Sequence, residues 1–145
     1  MMHVRIINLK EEYQMLATWW TRRGSIAPQM EILPIGVIAH DGNFDVACAF
    51  LYEDSRGVVG FVEWEATNPD CHSAMQALRG LNMLFDFWEK HWCTGPHRTL
   101  FSWVSAGRGD GRILDHRGWK TCAGDRHELM QFVVQPKEEP CQQSR

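Results

Sequence analysis

The sequence predicts an α/β (α+β) fold, a mixed and twisted sheet of about six strands flanked by helices in the order β-α-β-β-β-α-β-α-β. Three observations carry this expectation. Residues 36–67 hold three β-rich runs separated by two turn-forming stretches, which reads as an antiparallel meander. From Ala74 to Trp92 the apolar residues change to steps of three and four, the period of a helix. A further apolar run at Arg98–Ser105 then lets the last meander strand, the helix and this run form one right-handed βαβ crossover.

Each element has a local reason. His3–Leu9 (HVRIINL) alternates well enough for a first strand. Glu11–Arg23 carries Tyr13, Leu16, Ala17 and Trp20 on one helical stripe and meets a stop at Gly24. A loop with Pro28 and Pro34 leads to Gly36–His40, Asp45–Tyr52 and Val58–Thr67, punctuated by Asp41-Gly42-Asn43 and Asp54-Ser55-Arg56-Gly57. In the long helix, Ala74, Leu78, Leu81, Leu84, Phe85, Trp88 and Trp92 form a stripe that Met75, Met83 and Phe87 widen, as suits a helix lying on a sheet. Gly109–Arg117 reads as a short helix closed by Gly118, and Glu128–Val134 as the last strand.

Length and composition narrow the function classes. A chain of 145 residues fits one domain, expected over 1–135, with a tail at 136–145 (PKEEPCQQSR) of disordered composition. A net charge of −3 gives no broad basic field, so binding to nucleic acid by the chain alone is disfavoured though still open. Arg108, Arg112, Arg117 and Lys120 nevertheless fall close together as a local basic patch. The five cysteines are odd in number and irregularly spaced, and the seven histidines show no ligand spacing. Neither a disulfide framework nor a metal is expected, and reduced thiols suit a cytoplasmic protein. The apolar runs fall short of the roughly 20 residues that span a bilayer, and no basic-then-apolar leader opens the chain.

The stretch FVEWEATNPDCHSAMQALRG, residues 61–80, carries the chemistry. Glu63 and Glu65 stand two residues apart on a strand, so regular alternation puts both on one face. The strand runs through a polar turn into a helix start, where Ser73 suits the capping position and unpaired amides favour an anion. The plain alternative is a solvent-facing pair of acids beside an ordinary capped helix. Trp19 and Trp20 are adjacent on the first helix, so one is expected in the core and the other turned away from it.

This element order, with a polar turn between its fourth strand and long helix, resembles the GNAT superfamily of acyl-CoA-dependent N-acetyltransferases over Val4 to about Val134. GRILDHRGW (111–119) is similar to the short helix and Gly-aromatic ending before that superfamily's last strand. EWEATNP, ALRGLNMLFDF, the paired Trp19-Trp20 and LPIG (33–36) resemble a compact subgroup common in phage and prophage genomes. The resemblance implies direct acetyl or acyl transfer from coenzyme A to an amine, with Glu63 as the base and Glu65 as its understudy. A lysine-type amine has a pKa near 10.4 and must lose a proton before it can attack, which is the work a carboxylate would do. The resemblance further implies a cofactor site at Ala66, Thr67, His72, Ser73, Ala74, Gln76, Arg79 and Gly80, and an acceptor site near Trp19, Trp20 and Trp64. In the superfamily's glycine-rich cofactor motif, Leu78 stands here for the first glycine and Met75 for the cation or amide. Leu114 stands where family members often carry a tyrosine that protonates the leaving thiolate; Ser102, Ser105 and His116 are candidate replacements. The acceptor stays open among a small-molecule amine, a protein amine and a modified nucleobase, and a homodimer is common in the superfamily. Two other readings remain: a catalytically degenerate binding protein on this fold, and a relative of the Mom-like phage nucleic-acid-modifying proteins.

Overall fold

The computed structural model describes residues 1–94, 98–105, 109–124 and 127–133, with side chains left aside at 105, 109–110, 123–124 and 127–133. Strand β1 (Met2–Ile6) is followed by α1 (Leu9–Arg22), a 3-10 turn at Met30–Ile32, and the meander β2 (Ile35–Asp41), β3 (Phe44–Glu53) and β4 (Val59–Thr67). Helix α2 (Ala74–His91) leads to β5 (Thr99–Ser105), α3 (Gly109–His116), β6 (Lys120–Gly124) and β7 (His127–Val133). All seven strands join one sheet in the order β1-β2-β3-β4-β5-β7-β6, parallel only between β4 and β5.

Three details depart from the sequence expectation. Strand β1 ends at Ile6, because the carbonyl of Asn8 accepts from the Glu11 and Glu12 amides while the Asn8 amide donates to the Glu12 carboxylate at 2.7 Å. That pattern starts α1 at Leu9 rather than Glu11. The sheet also gains β6, which pairs antiparallel with β7; its sequence Lys-Thr-Cys-Ala-Gly lacks the apolar alternation that marks a strand. The expected tail at 136–145 lies outside the described residues.

The turns use the predicted chemistry. Gly42 takes φ +64° in the two-residue loop between paired Asp41 and Phe44. Asp54 holds the next turn, accepting the Val58 and Val59 amides on one carboxylate oxygen at 2.7 and 3.0 Å.

Two cores sandwich the sheet. On one face α2 and α3 bury Leu84, Phe85, Trp88, Ile113, Leu114 and Trp119 against Val37, Ala49, Val62 and Leu100. On the other, α1 packs Leu16, Trp19 and Trp20 onto Ile38, Cys48, Phe50 and Ala66. Gly80 sets the approach of α2: a Cβ there would lie 2.6 Å from Val46 Cγ1 and 3.1 Å from the Ala47 Cβ. Behind the sheet, Arg117 grips Glu89 through two bonds of 2.7 and 2.8 Å and also Asp86, fastening the end of α3 to α2.

Candidate functional site: an opening between β4 and β5

Strand β4 pairs with β3 from Gly60 to Thr67, but its ladder with β5 runs only from Val59↔Thr99 to Phe61↔Phe101. Beyond that point no pair joins the two strands among the described residues. The cause lies in β4 itself. Its register against β3 slips between Phe50↔Glu63 and Cys48↔Ala66, so three steps on β4 match two on β3. Trp64, inside this bulge, has φ +58°, a left-handed conformation rare for a bulky residue. Its indole N–H donates to the Tyr52 hydroxyl at 3.0 Å, and its ring meets Trp20 edge-on at 6.4 Å. A bulge bends its strand, and here the bend carries β4 away from β5.

The bulge also separates the two carboxylates, which corrects the expectation that they share a face. Glu63 pairs with Phe50, whose ring belongs to the α1-side core. Glu65 accepts from the Ser102 hydroxyl at 2.9 Å, and Ser102 alternates between Leu100 and Val104, which face α2 and α3. One extra residue flips everything after it, so Glu63 looks toward α1 and Glu65 toward α2. Glu63 is half-buried and accepts the Trp103 amide at 3.1 Å across the opening. Burial pushes its pKa up to about 7 against a smaller lowering by that amide.

On the α2 side a cleft of about 420 Å³ begins at the end of β4. Thr67, Ser73, Ala74, Ala77, Leu78 and Leu81 line it, with Arg23 at one wall and Ile113 at another. Ser73 caps α2 by accepting the Gln76 amide at 3.1 Å, and the Gln76 side chain accepts the His72 amide at 2.9 Å. Of the residues expected around a cofactor, Thr67, Ser73 and Ala74 line this cleft. The others have different places. Gln76 serves the cap, His72 stacks on Phe44 at 5.4 Å, and Gly80 is buried on the face of α2 that meets β3. Arg79 lines a second cleft with Met83 and Asn82, and the Ala66 side chain faces the α1 core while its backbone lies on β4 beyond the last pair with β5. Arg23 was not signalled by the sequence: its Nε donates to the Thr67 carbonyl at 3.1 Å, a neighbourhood made only when α1 ends beside β4. Cys71 is no activated thiol, since burial pushes its pKa up.

Trp19 and Trp20 are both buried, at 2% and 5% exposure, correcting the expectation that one turns outward. The sheet covers one side of α1, while the loop after it covers another through Ala27, Leu33 and a bond from the Tyr13 hydroxyl to the Pro28 carbonyl. Adjacent helix positions can then both be enclosed. Leu114 is fully buried in the α2-side core. The chain has two tyrosines, and both hydroxyls are committed on the α1 side: Tyr13 to Pro28, and Tyr52 to the Ile32 carbonyl at 2.8 Å. Of the basic patch, Arg117 is spent on Glu89 and Asp86, while Arg108 lies outside the described residues. Among the described residues no group of His, Cys, Asp and Glu gathers as a metal site, and no helix is long and apolar enough to cross a membrane.

An opened parallel strand pair beside a helix start defines a recognisable class of architecture. The chain superposes on the yncA protein of Salmonella typhimurium, solved with its cofactor acetyl-CoA, with a TM-score of 0.64 and 10% identity over 97% of this chain and 98% of that one. A GNAT-family acetyltransferase from Bacillus cereus gives 0.65 and 13% over 94% and 99%. Arabidopsis thaliana Naa50, in complex with the bisubstrate analogue CoA-Ac-MVNAL, gives 0.63 and 10% over 90% and 99%. No family model and no curated protein matches the sequence. The protein therefore has the GNAT acyl-CoA N-acyltransferase fold.

Proposed function

We propose that the protein is an acyl-CoA-dependent N-acyltransferase that moves an acetyl or related acyl group directly to an acceptor amine, with Glu63 as the base. The observation that carries this reading is the opening itself. The α2-side cleft and Glu63 stand on opposite sides of one gap in the sheet, so a thioester entering from α2 and an amine entering from α1 would meet between β4 and β5. Acetyl-CoA would supply the acyl carbonyl and a thiolate leaving group. Thr67, Ser73, Ala74 and Arg23 fit its anionic portion, through the helix dipole and one guanidinium. The edge of β4 left by β5 fits its amide-bearing arm and offers donors to a carbonyl oxygen. Glu63 takes the proton from the acceptor ammonium, and a pKa near 7 matches that task at neutral pH. The amine nitrogen then forms the new C–N bond as the C–S bond breaks, and the second proton that nitrogen sheds ends on the departing thiolate, which leaves as free coenzyme A. Glu65 remains the understudy, held to Ser102 on the cofactor side. The compact phage-type subgroup belongs to this proposal on the stretches quoted above, a cytoplasmic location on the reduced thiols, and a homodimer on how common dimers are in the superfamily.

One observation favours the degenerate-binder reading: Leu114 is sealed in the core and both tyrosine hydroxyls are engaged elsewhere, so no tyrosine serves the thiolate. Two measurements separate the readings. Acetyl-CoA at 100 times its dissociation constant should stabilise the fold by about 2.7 kcal/mol, and an unmoved melting temperature at millimolar cofactor removes the acyl-CoA site altogether. Given binding, Glu63→Gln should lower turnover by about 100-fold or more with cofactor affinity unchanged. Cofactor binding without turnover on any amine of a broad panel would leave the binder.

A further inference from the structure

Strands β4 and β5 have contrasting faces. Toward α2 and α3, Val62, Leu100 and Ser102 are fully buried and Val104 is 3% exposed. Toward the α1 side the same strands and β3 carry an aromatic row that the described residues leave partly open. Tyr52, Phe61 and Phe101 lie at matched registers on three neighbouring strands, and Trp103 follows one pleat beyond Phe101. The Phe61 and Phe101 rings stack with centroids 5.3 Å apart and 23° between planes. Tyr52, Phe61 and Phe101 are half-buried, and Trp103 is 48% exposed. Glu63 stands one pleat beyond Phe61 on this face, bonded to the Trp103 backbone.

Among the described residues no cation answers this carboxylate, and the Trp103 amide is its one bonded partner. A half-buried carboxylate without a counter-ion, framed by aromatic faces, is complementary to one positive charge on a flat apolar body. The geometry points to an acceptor of the arylalkylamine class: a primary ammonium a few methylenes from an aromatic ring, its charge on Glu63 and its ring on the Phe61–Phe101–Trp103 platform. Among the described residues Glu63 is the one acid bonded on this row and no cation is bonded to it, so a polyamine's further charges and an acidic amine's carboxylate would each lack a described partner there. The assignment rests on the acyl-transfer reading for its chemistry, but the platform can be tested without the cofactor.

The experiment titrates the full chain calorimetrically with phenethylamine, 2-phenylethanol, spermidine and glutamate, without acetyl-CoA and then at saturating acetyl-CoA with thiol release followed. Phenethylamine is expected to bind at least tenfold more tightly than the other three. Trp103→Ala and Glu63→Gln should each weaken it about tenfold, with melting curves showing that both variants fold. Spermidine or glutamate binding as tightly, or an unchanged phenethylamine affinity in Trp103→Ala, overturns the assignment. So does sedimentation showing a dimer that Trp103→Ala dissociates, because a second copy then covers the row. Phenethylamine binding with this residue dependence but no binding of acetyl-CoA keeps the platform and removes the transferase reading. Acetyl-CoA binding with no phenethylamine affinity does the reverse.

Discussion

Strand β4 has two edges with opposite fates. Against β3 it is laddered to its end at Thr67; against β5 it is laddered only as far as Phe61. Sequence composition does not distinguish the edges, because one backbone serves both. The difference comes from a single extra residue around Trp64, absorbed on the β3 side as a bulge and expressed on the β5 side as an opening. Closed and open halves of one seam thus differ in role: the closed half is laddered and carries the stacked Phe61 and Phe101, while the open half leaves Glu63, a strand edge and Trp103 beyond the last pair.

The comparison can be broken most severely at its closed end. A Cβ on Gly60 would lie 2.9 Å from Leu100 Cδ2, 3.0 Å from Leu51 Cδ1 and 3.1 Å from Trp92 Cη2. Gly60→Val should therefore destabilise the fold by about 3 kcal/mol, read as a lower denaturation midpoint with an unchanged slope. A midpoint within a few tenths of a kcal/mol of the parent would mean that the closed half is not tightly packed.

The open end answers to pH. The folded-state pKa of Glu63 is raised to about 7, so the native protein holds more protons than the unfolded chain between about 4.5 and 7. Stability on this account falls as pH rises through that window and levels off above it. Glu63→Gln, which still accepts the Trp103 amide, should remove the effect. The variant should gain about 2 kcal/mol over the parent at pH 8 relative to pH 4, after allowance for solvent screening at a half-buried site. Parallel melting curves for the two proteins across that range would place Glu63 in ordinary solvent. The smallest effect belongs to the helix start beside the cleft: Ser73→Ala should cost about 1 kcal/mol through loss of the cap, with acetyl-CoA titration reporting whether the same turn holds the cofactor.

Much of the architecture was legible because it is written locally. The meander follows from alternating apolar residues broken by Asp41-Gly42-Asn43 and Asp54–Gly57, and α2 from its stripe and the Ser73 cap. Trp88 and Trp92 were expected in the core and lie there at 4% and 7% exposure. Strand β6 escaped because a partner strand at a sheet edge needs backbone pairing more than side-chain pattern. Arg23 escaped because its place beside Thr67 joins residues 44 apart in the chain.

Periodicity and turn chemistry are properties of neighbouring residues, so the sequence by itself determined the element order, the helix cap and the presence of two acids on β4. Which way those acids face was decided by tertiary structure. Glu-Trp-Glu reads as plain alternation until β3 sets the register on one side of it and Trp20 and Tyr52 hold Trp64 in a left-handed turn. The same long-range pairing opens the sheet, buries both Trp19 and Trp20, and leaves Glu63 without a cation among the described residues, because each outcome depends on what the fold brings across from distant parts of the chain.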